Sequence, residues 1–358
     1  MRVLLVHPRS DPRWPSMDRY ARGLSEAASA LTVRSTAAGY LDPPRPVRRL
    51  VRRYGDTSPI GAAVAGFDPE VVHVTSEALA HHVPRRRGAG WVATCHDLIY
   101  LHPEAGHWTS GMRARVQLEA RRHSMRGLSR ADIVVAVSRA TANLILKHGF
   151  ADEERVRVVY PVVDARFQES PPPDVGLPAG PKILSVGMAY RYKNLPALIR
   201  ALSRPGLRGA TVVRIGARLP ADLRALAREC GVDDRIVELG TVSDAQLSAV
   251  YASCDVLAQP SLDEGFGYPV AEAMAMGLPV VCSDGGALPE VVADAGRVVP
   301  LGGDPLDMAR RFGDALESVL SDARLRDEMA AAGRLRARAF TAGAVAPNLI
   351  AAYVEAAG

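Results

Sequence analysis

The chain has 358 residues, 48% of them hydrophobic and 23% charged, an ordinary globular balance and enough length for two domains rather than one small one. No run approaches the ~20 consecutive apolar residues of a membrane-spanning helix, and Met1-Arg2 leads into Val3-Leu4-Leu5-Val6 without a signal-peptide pattern, so a cytoplasmic protein is expected. The net charge of +5 is uneven: residues 1–168 carry 25 Lys and Arg against 16 Asp and Glu, and residues 169–358 carry 19 against 23. The first half therefore either has a solvated basic surface or meets something anionic, such as a phosphorylated acceptor or an acidic membrane face.

Short apolar, β-branched runs alternate with longer segments of helical period, the pattern of parallel sheets with crossover helices. The predicted strands are 3–7, 71–75, 91–94, 133–137 and 156–160, then 183–186, 212–215, 236–239, 256–258, 280–282 and 298–299. Eleven strands exceed one comfortable open sheet. Between the two sets, residues 169–181 hold Pro171-Pro172-Pro173 and Pro178-Ala179-Gly180-Pro181, which sustain neither helix nor ladder and read as a linker. Two doubly wound, Rossmann-like α/β domains follow, residues 1–168 and 182–340. Such sheets bind ligands beyond the carboxyl ends of their strands, so a cleft between the two domains is the expected site.

Other classes find little support. Cys95, Cys230, Cys254 and Cys282 are too scattered for a paired-cysteine zinc site or a disulfide framework, and the histidines lack metal-ligand spacing. No metal is expected. Arg-rich stretches lie at 46–53 and 85–87; the first is either solvated surface or a short basic turn lying on anionic lipid. Aromatics make up 5% of the chain and do not interleave with the basic residues, which argues against nucleic acid.

The segment Asp263-Glu264-Gly265-Phe266-Gly267-Tyr268-Pro269-Val270-Ala271-Glu272-Ala273-Met274-Ala275-Met276-Gly277-Leu278-Pro279-Val280 carries the most chemistry. It reads as a glycine-containing loop, a helix opened by Pro269 and a following strand. Gly265 and Gly267 let backbone approach a ligand, and the free N–H groups at the helix start suit phosphate or sugar oxygens. Glu264 stands at the mouth. Glu272, eight residues on, is placed to accept from two neighbouring hydroxyls, as a ribose diol offers.

This segment resembles the retaining glycosyltransferases of family 4, GT-B in fold, whose hallmark is E-x7-E within E-G-F-G-x-P-x-x-E-A-M-A-x-G-x-P-V. The resemblance implies that Glu264 contacts the donor sugar, that Gly265, Phe266 and Gly267 hold sugar and phosphate through their N–H groups, and that Glu272 holds the ribose. Gly187-Met188-Ala189-Tyr190-Arg191-Tyr192-Lys193-Asn194 is similar to the family's V-G-x-x-x-x-R-K-N segment. Lys193 would then neutralise the departing diphosphate, with Gly187 and Asn194 beside it; the family's arginine falls at Tyr192, and Arg191 is a candidate substitute. His96, in Val92-Ala93-Thr94-Cys95-His96-Asp97-Leu98, matches a strand-end histidine that contacts the transferring sugar. Ser138 would cap a helix, with Arg139 near the acceptor or a phosphate. In the first loop the family's G-x-G-R-Y becomes Ser16-Met17-Asp18-Arg19-Tyr20; either this loop stands back from the donor, or Asp18 and Arg19 meet the acceptor.

The reading is a retaining, metal-independent transfer of a hexose-like sugar from a UDP- or GDP-linked donor to a small-molecule, saccharide or lipid-linked hydroxyl, with no cofactor. Residues 341–358 are expected to return to the first domain, and peripheral membrane contact is left open. The alternatives are a nucleotide-sugar epimerase, a sugar-nucleotide-binding protein without catalysis and a nicotinamide dehydrogenase; the last lacks a G-x-G-x-x-G after any strand.

Overall fold

A computed structural model describes residues 1–10, 15–38, 57–84, 88–101, 122–168 and 175–358. The Arg-rich stretches 46–53 and 85–87, His102, His107 and linker residues 169–174 lie outside the described residues. The chain divides into two compact units: the first runs to Val162 and takes in Phe340–Gly358, and the second runs from Val163 to Ala339.

The first unit is built on β1 (Arg2–Pro8), β2 (Thr32–Ala38), β3 (Val71–Val74), β4 (Gly90–Cys95), β5 (Ile133–Ala136) and β6 (Val156–Val158). They form one sheet in the order β2-β1-β3-β4-β5-β6, every pair parallel. β1, β3, β4 and β5 are apolar runs buried on both faces, as a sheet covered by crossover helices requires. β2 was not among the predicted strands. Its sequence, Thr-Val-Arg-Ser-Thr-Ala-Ala, has no apolar run because it is an edge strand, largely exposed; it forms by pairing with β1 over seven residues.

Two helices of this unit bear on function. Residues 16–20 belong to the helix Pro15–Ala27, so the loop expected there is helical. The helix Ala342–Ala357, capped by the Thr341 side chain, buries Leu349, Ala352, Tyr353 and Ala356 and packs on β4 and on Pro15–Ala27.

The second unit holds β7 (Lys182–Val186), β8 (Thr211–Ile215), β9 (Ile236–Gly240), β10 (Val256–Gln259), β11 (Val280–Ser283) and β12 (Arg297–Val299). Their order is β12-β11-β10-β7-β8-β9, again parallel throughout. The helices Leu195–Leu202 and Pro305–Ser321 pack together and seal one face with Leu198, Leu202, Phe312 and Leu316. Residues 163–168 go with this unit, so the division falls before the expected boundary at 168. The cause is local: Arg166 pairs with Asp164 and Asp244, and the Phe167 ring meets Tyr251 edge-on at 5.6 Å.

Candidate active site

In the second sheet, strand order reverses between β7 and β10, and the loops leaving the carboxyl ends of those two strands frame the position where open α/β sheets hold ligands. After β7 the chain runs through Gly187 into a tight turn, Arg191–Lys193; Asn194, left-handed at φ 50°, ψ 42°, then starts the helix Leu195–Leu202. After β10 it runs from Ser261 to Gly267 into the helix Tyr268–Met276. The Leu262 N–H donates to the Tyr192 carbonyl at 2.6 Å, tying the two loops together.

Lys193 Nζ donates to Glu264 Oε1 at 2.7 Å. Gln259 Nε2, at 2.6 Å, and Ser261 Oγ, at 2.7 Å, donate to the same oxygen, so the second carboxylate oxygen takes none of the three. The ion pair is nearly enclosed, with the side chains 13% and 9% exposed. Charges withdrawn this far from water persist only when paired and hydrogen-bonded, and here the supporting donors sit on the strand end and loop just before Glu264. Lys193 Nζ also lies 5.1 Å from the centroid of the Tyr192 ring, a cation–π contact where the family's arginine would stand. Gly187 makes room for the lysine: at φ 129°, a Cβ there would lie 3.3 Å from Lys193 Cε and 3.6 Å from Nζ.

The remaining donor-side candidates lie on the same two loops and on the helix Tyr268–Met276. Gly267, at φ 92°, precedes the helix Tyr268–Met276 without a side-chain cap, and a Cβ on it would lie 2.8 Å from Leu288 Cδ2. Phe266 is buried and packs edge-on against Tyr268; Gly265 lies between it and Glu264. Glu272 is 1% exposed, and its Oε2 accepts from the Tyr251 hydroxyl at 2.8 Å. Asn194 Nδ2 contacts Met308 Sδ at 3.8 Å, and Arg191 is exposed on the turn.

In the first unit, His96 follows β4. Its Nε2 lies 2.8 Å from the Thr75 carbonyl, its backbone N–H donates to Glu77 Oε2 at 3.1 Å, and burial depresses its pKa. Asp18 accepts from Ser10 Oγ at 2.6 Å; Arg19 is half-buried on the same helix. Arg139 is exposed at the start of the helix Arg139–Lys147, where Ser138 Oγ accepts from the Thr141 N–H.

Residues 4–167 match the family described as Glycosyltransferase Family 4, and residues 172–336 match Glycosyl transferases group 1. The chain belongs to the family 4, group 1 glycosyltransferases, with the GT-B fold. A D-inositol 3-phosphate glycosyltransferase from Xylanimonas cellulosilytica is 29% identical over 86% of this chain and 89% of its own. One of the same name from Corynebacterium diphtheriae is 32% identical over 63% of this chain and 57% of its own. Among solved structures, a sucrose-phosphate synthase from Thermosynechococcus elongatus aligns with a TM-score of 0.78 at 20% identity, covering 99% of this chain and 98% of that one. Anabaena HepE in complex with UDP and glucose aligns at 0.73 and 16%, covering 98% of each.

Several residues bonded to the candidate site residues of this glycosyltransferase were not among those read from sequence. Gln259 and Ser261 had a signal, two polar residues at the carboxyl end of a buried strand; Tyr251 had none, because an aromatic at helical spacing reads as core. Arg214, on β8, is 3% exposed, and its Nη2 donates to the carbonyls of Gly187 and Ala217, each at 3.0 Å. Burial pushes its pKa down to about 10, with Glu238 pulling the other way. It braces the loop over which Lys193 lies. Among the described residues no group of three His, Cys, Asp or Glu is arranged to hold a metal ion, and no helix is long and apolar enough to cross a membrane.

Proposed function

We propose that this glycosyltransferase moves a hexose-like sugar from a nucleoside-diphosphate-sugar to an acceptor hydroxyl with retention of anomeric configuration and without a divalent metal. The observation that carries the reading is the Lys193–Glu264 pair at the β7/β10 reversal. An ammonium and a carboxylate held together suit a ligand that is anionic at one end and hydroxylated at the other. The ammonium offsets charge accumulating on the diphosphate as the bond to the anomeric carbon breaks, the role a metal would otherwise fill. Glu264 accepts from sugar hydroxyls, and Glu272, aligned by Tyr251, takes the ribose. The backbone of Gly265, Phe266 and Gly267, at the start of the helix Tyr268–Met276, serves the sugar and phosphate oxygens.

In the bond-making step the acceptor oxygen bonds to the anomeric carbon on the face the diphosphate leaves, and its proton passes to a diphosphate oxygen. HepE, whose solved structure holds UDP and glucose, supports a UDP-linked donor by shared fold. The basic first half and relatives bearing the name D-inositol 3-phosphate glycosyltransferase support a phosphorylated polyol as acceptor.

Thermal shift with UDP-, GDP-, ADP- and dTDP-sugars selects the donor, since a ligand at 100 times its Kd adds about 2.7 kcal/mol. Release of nucleoside diphosphate, with and without D-inositol 3-phosphate, then measures transfer, and the product's anomeric configuration is read by NMR. Lys193→Ala and Glu264→Ala should each slow release by roughly 100-fold or more. Unchanged rates in both variants would overturn the site assignment.

A further inference from the structure

The first unit contains a buried polar chain that ends against His96. Tyr353 Oη lies 2.8 Å from His73 Nδ1, His73 Nε2 lies 2.8 Å from Thr94 Oγ1, and Thr94 Oγ1 lies 2.9 Å from Tyr20 Oη. All four residues are at most 1% exposed. The Tyr20 ring stands edge-on to the His96 ring, with centroids 4.5 Å apart and planes at 81°. His96 is thus clamped from two sides, by the Thr75 carbonyl at Nε2 and by the Tyr20 ring, whose far end is pinned to Thr94 on β4, two residues upstream of His96.

A carbonyl oxygen only accepts, so the nitrogen facing Thr75 must carry the proton. A neutral imidazole has one N–H, which leaves Nδ1 as a lone pair. Among the described residues none donates to Nδ1. The chain behind it is uncharged as well: burial holds His73 neutral, its pKa lowered to about 3, so it donates at one nitrogen and accepts at the other. Two tyrosines, a threonine and a histidine with no net charge satisfy one another without competing for the His96 ring.

We propose that His96 acts as a hydrogen-bond acceptor through Nδ1, locked as the Nε2–H tautomer, and that Tyr20, Thr94, His73 and Tyr353 are positioning residues that hold its ring in that orientation. This rests on the transferase reading for its purpose and on the first unit alone for its geometry. The group that His96 meets must then bring its own proton: a sugar or polyol hydroxyl fits, whereas a carboxylate or phosphate oxygen at that point does not.

The test reads the imidazole directly, in the full chain labelled with 15N-histidine and with no donor present; His96→Gln assigns the signals. The expected spectrum at pH 7.5 shows His96 protonated at Nε2 and bare at Nδ1, with a slowly exchanging Nε2 proton. Thr94→Val, which keeps the side chain's shape and removes its hydroxyl, should speed that exchange about tenfold, the scale of one hydrogen bond. Thr94→Ser should restore it, and Tyr353→Phe, one link further out, should have a smaller effect in the same direction. A proton on Nδ1, or on both nitrogens, overturns the tautomer assignment. Exchange unchanged in Thr94→Val overturns the positioning role. Nucleoside diphosphate release, measured separately, judges the transferase reading, because the imidazole signals are read without turnover.

Discussion

Lys193 and Glu264, 71 residues apart in sequence, meet at 2.7 Å where the loops of two adjacent strands come together. The two residues that the proposal assigns to opposite ends of the donor are bonded to each other. In the proposed function the donor's diphosphate competes with Glu264 for the ammonium, while Gln259 and Ser261, which donate to the same carboxylate oxygen, keep it in place.

That competition gives a first prediction. Lys193→Met leaves a nearly enclosed carboxylate without its cation and should cost roughly 3 kcal/mol of stability. Lys193→Met combined with Glu264→Gln should cost much less than the sum of the two single changes, because neither charge is then stranded. Urea unfolding of the two singles and the double measures the coupling, and additive costs would show that the pair is not energetically linked.

Tyr251 offers a second. Its hydroxyl is a donor to Glu272 Oε2, and hydrogen bonds to an ionised group contribute about 1.5–3 kcal/mol. Tyr251→Phe should weaken UDP binding by roughly tenfold through a misaligned Glu272. Calorimetric titration with UDP and with its 2′-deoxy analogue separates the effects: the wild type should discriminate between them, and Tyr251→Phe should discriminate less.

Gly187→Ala combines two penalties. A Cβ at φ 129° is strained, by about 1–3 kcal/mol, and it would crowd Lys193 Cε and Nζ. Both Tm and UDP affinity should fall. Gly209→Ala, where an added Cβ meets nothing within 4 Å, is the control and should leave both unchanged.

A fourth prediction concerns pH. His73 has its pKa lowered from 6.5 to about 3 by burial, with His96 adding to the effect. Between those values the unfolded chain binds a proton that the folded chain does not, so stability is full above about pH 6.5 and declines as pH falls toward 3. The slope from this one group is about 1.4 kcal/mol per pH unit. His73→Gln removes it, and unfolding curves at pH 7.5, 6 and 4.5 should show wild type losing stability more steeply than the variant.

Much of the architecture was legible because buried parallel strands are mostly apolar runs, as in Ile133–Ala136 and Val280–Ser283. β2 was not, because an edge strand needs no such run. Residues 16–20 were read as a loop from the family's glycines, yet their own side chains are compatible with helix, and Asp18 sits in its first turn. Glu264 and Lys193 were singled out because their spacing repeats a motif, but their pairing is tertiary and leaves no trace in spacing. The His73–Tyr353 bond spans 280 residues, and either residue alone reads as ordinary core.

That span has a consequence for synthesis on the ribosome. His73 and Thr94 emerge early, but the hydroxyl that completes their chain belongs to Tyr353, and the whole second unit must be made first. Until then the apolar surface that Leu349 and Ala352 cover lacks its partner, and His73 lacks the hydroxyl that meets its Nδ1. The unit that begins first is finished last, and a nascent chain stalled anywhere before residue 353 presents an open seam for chaperones or proteases to find.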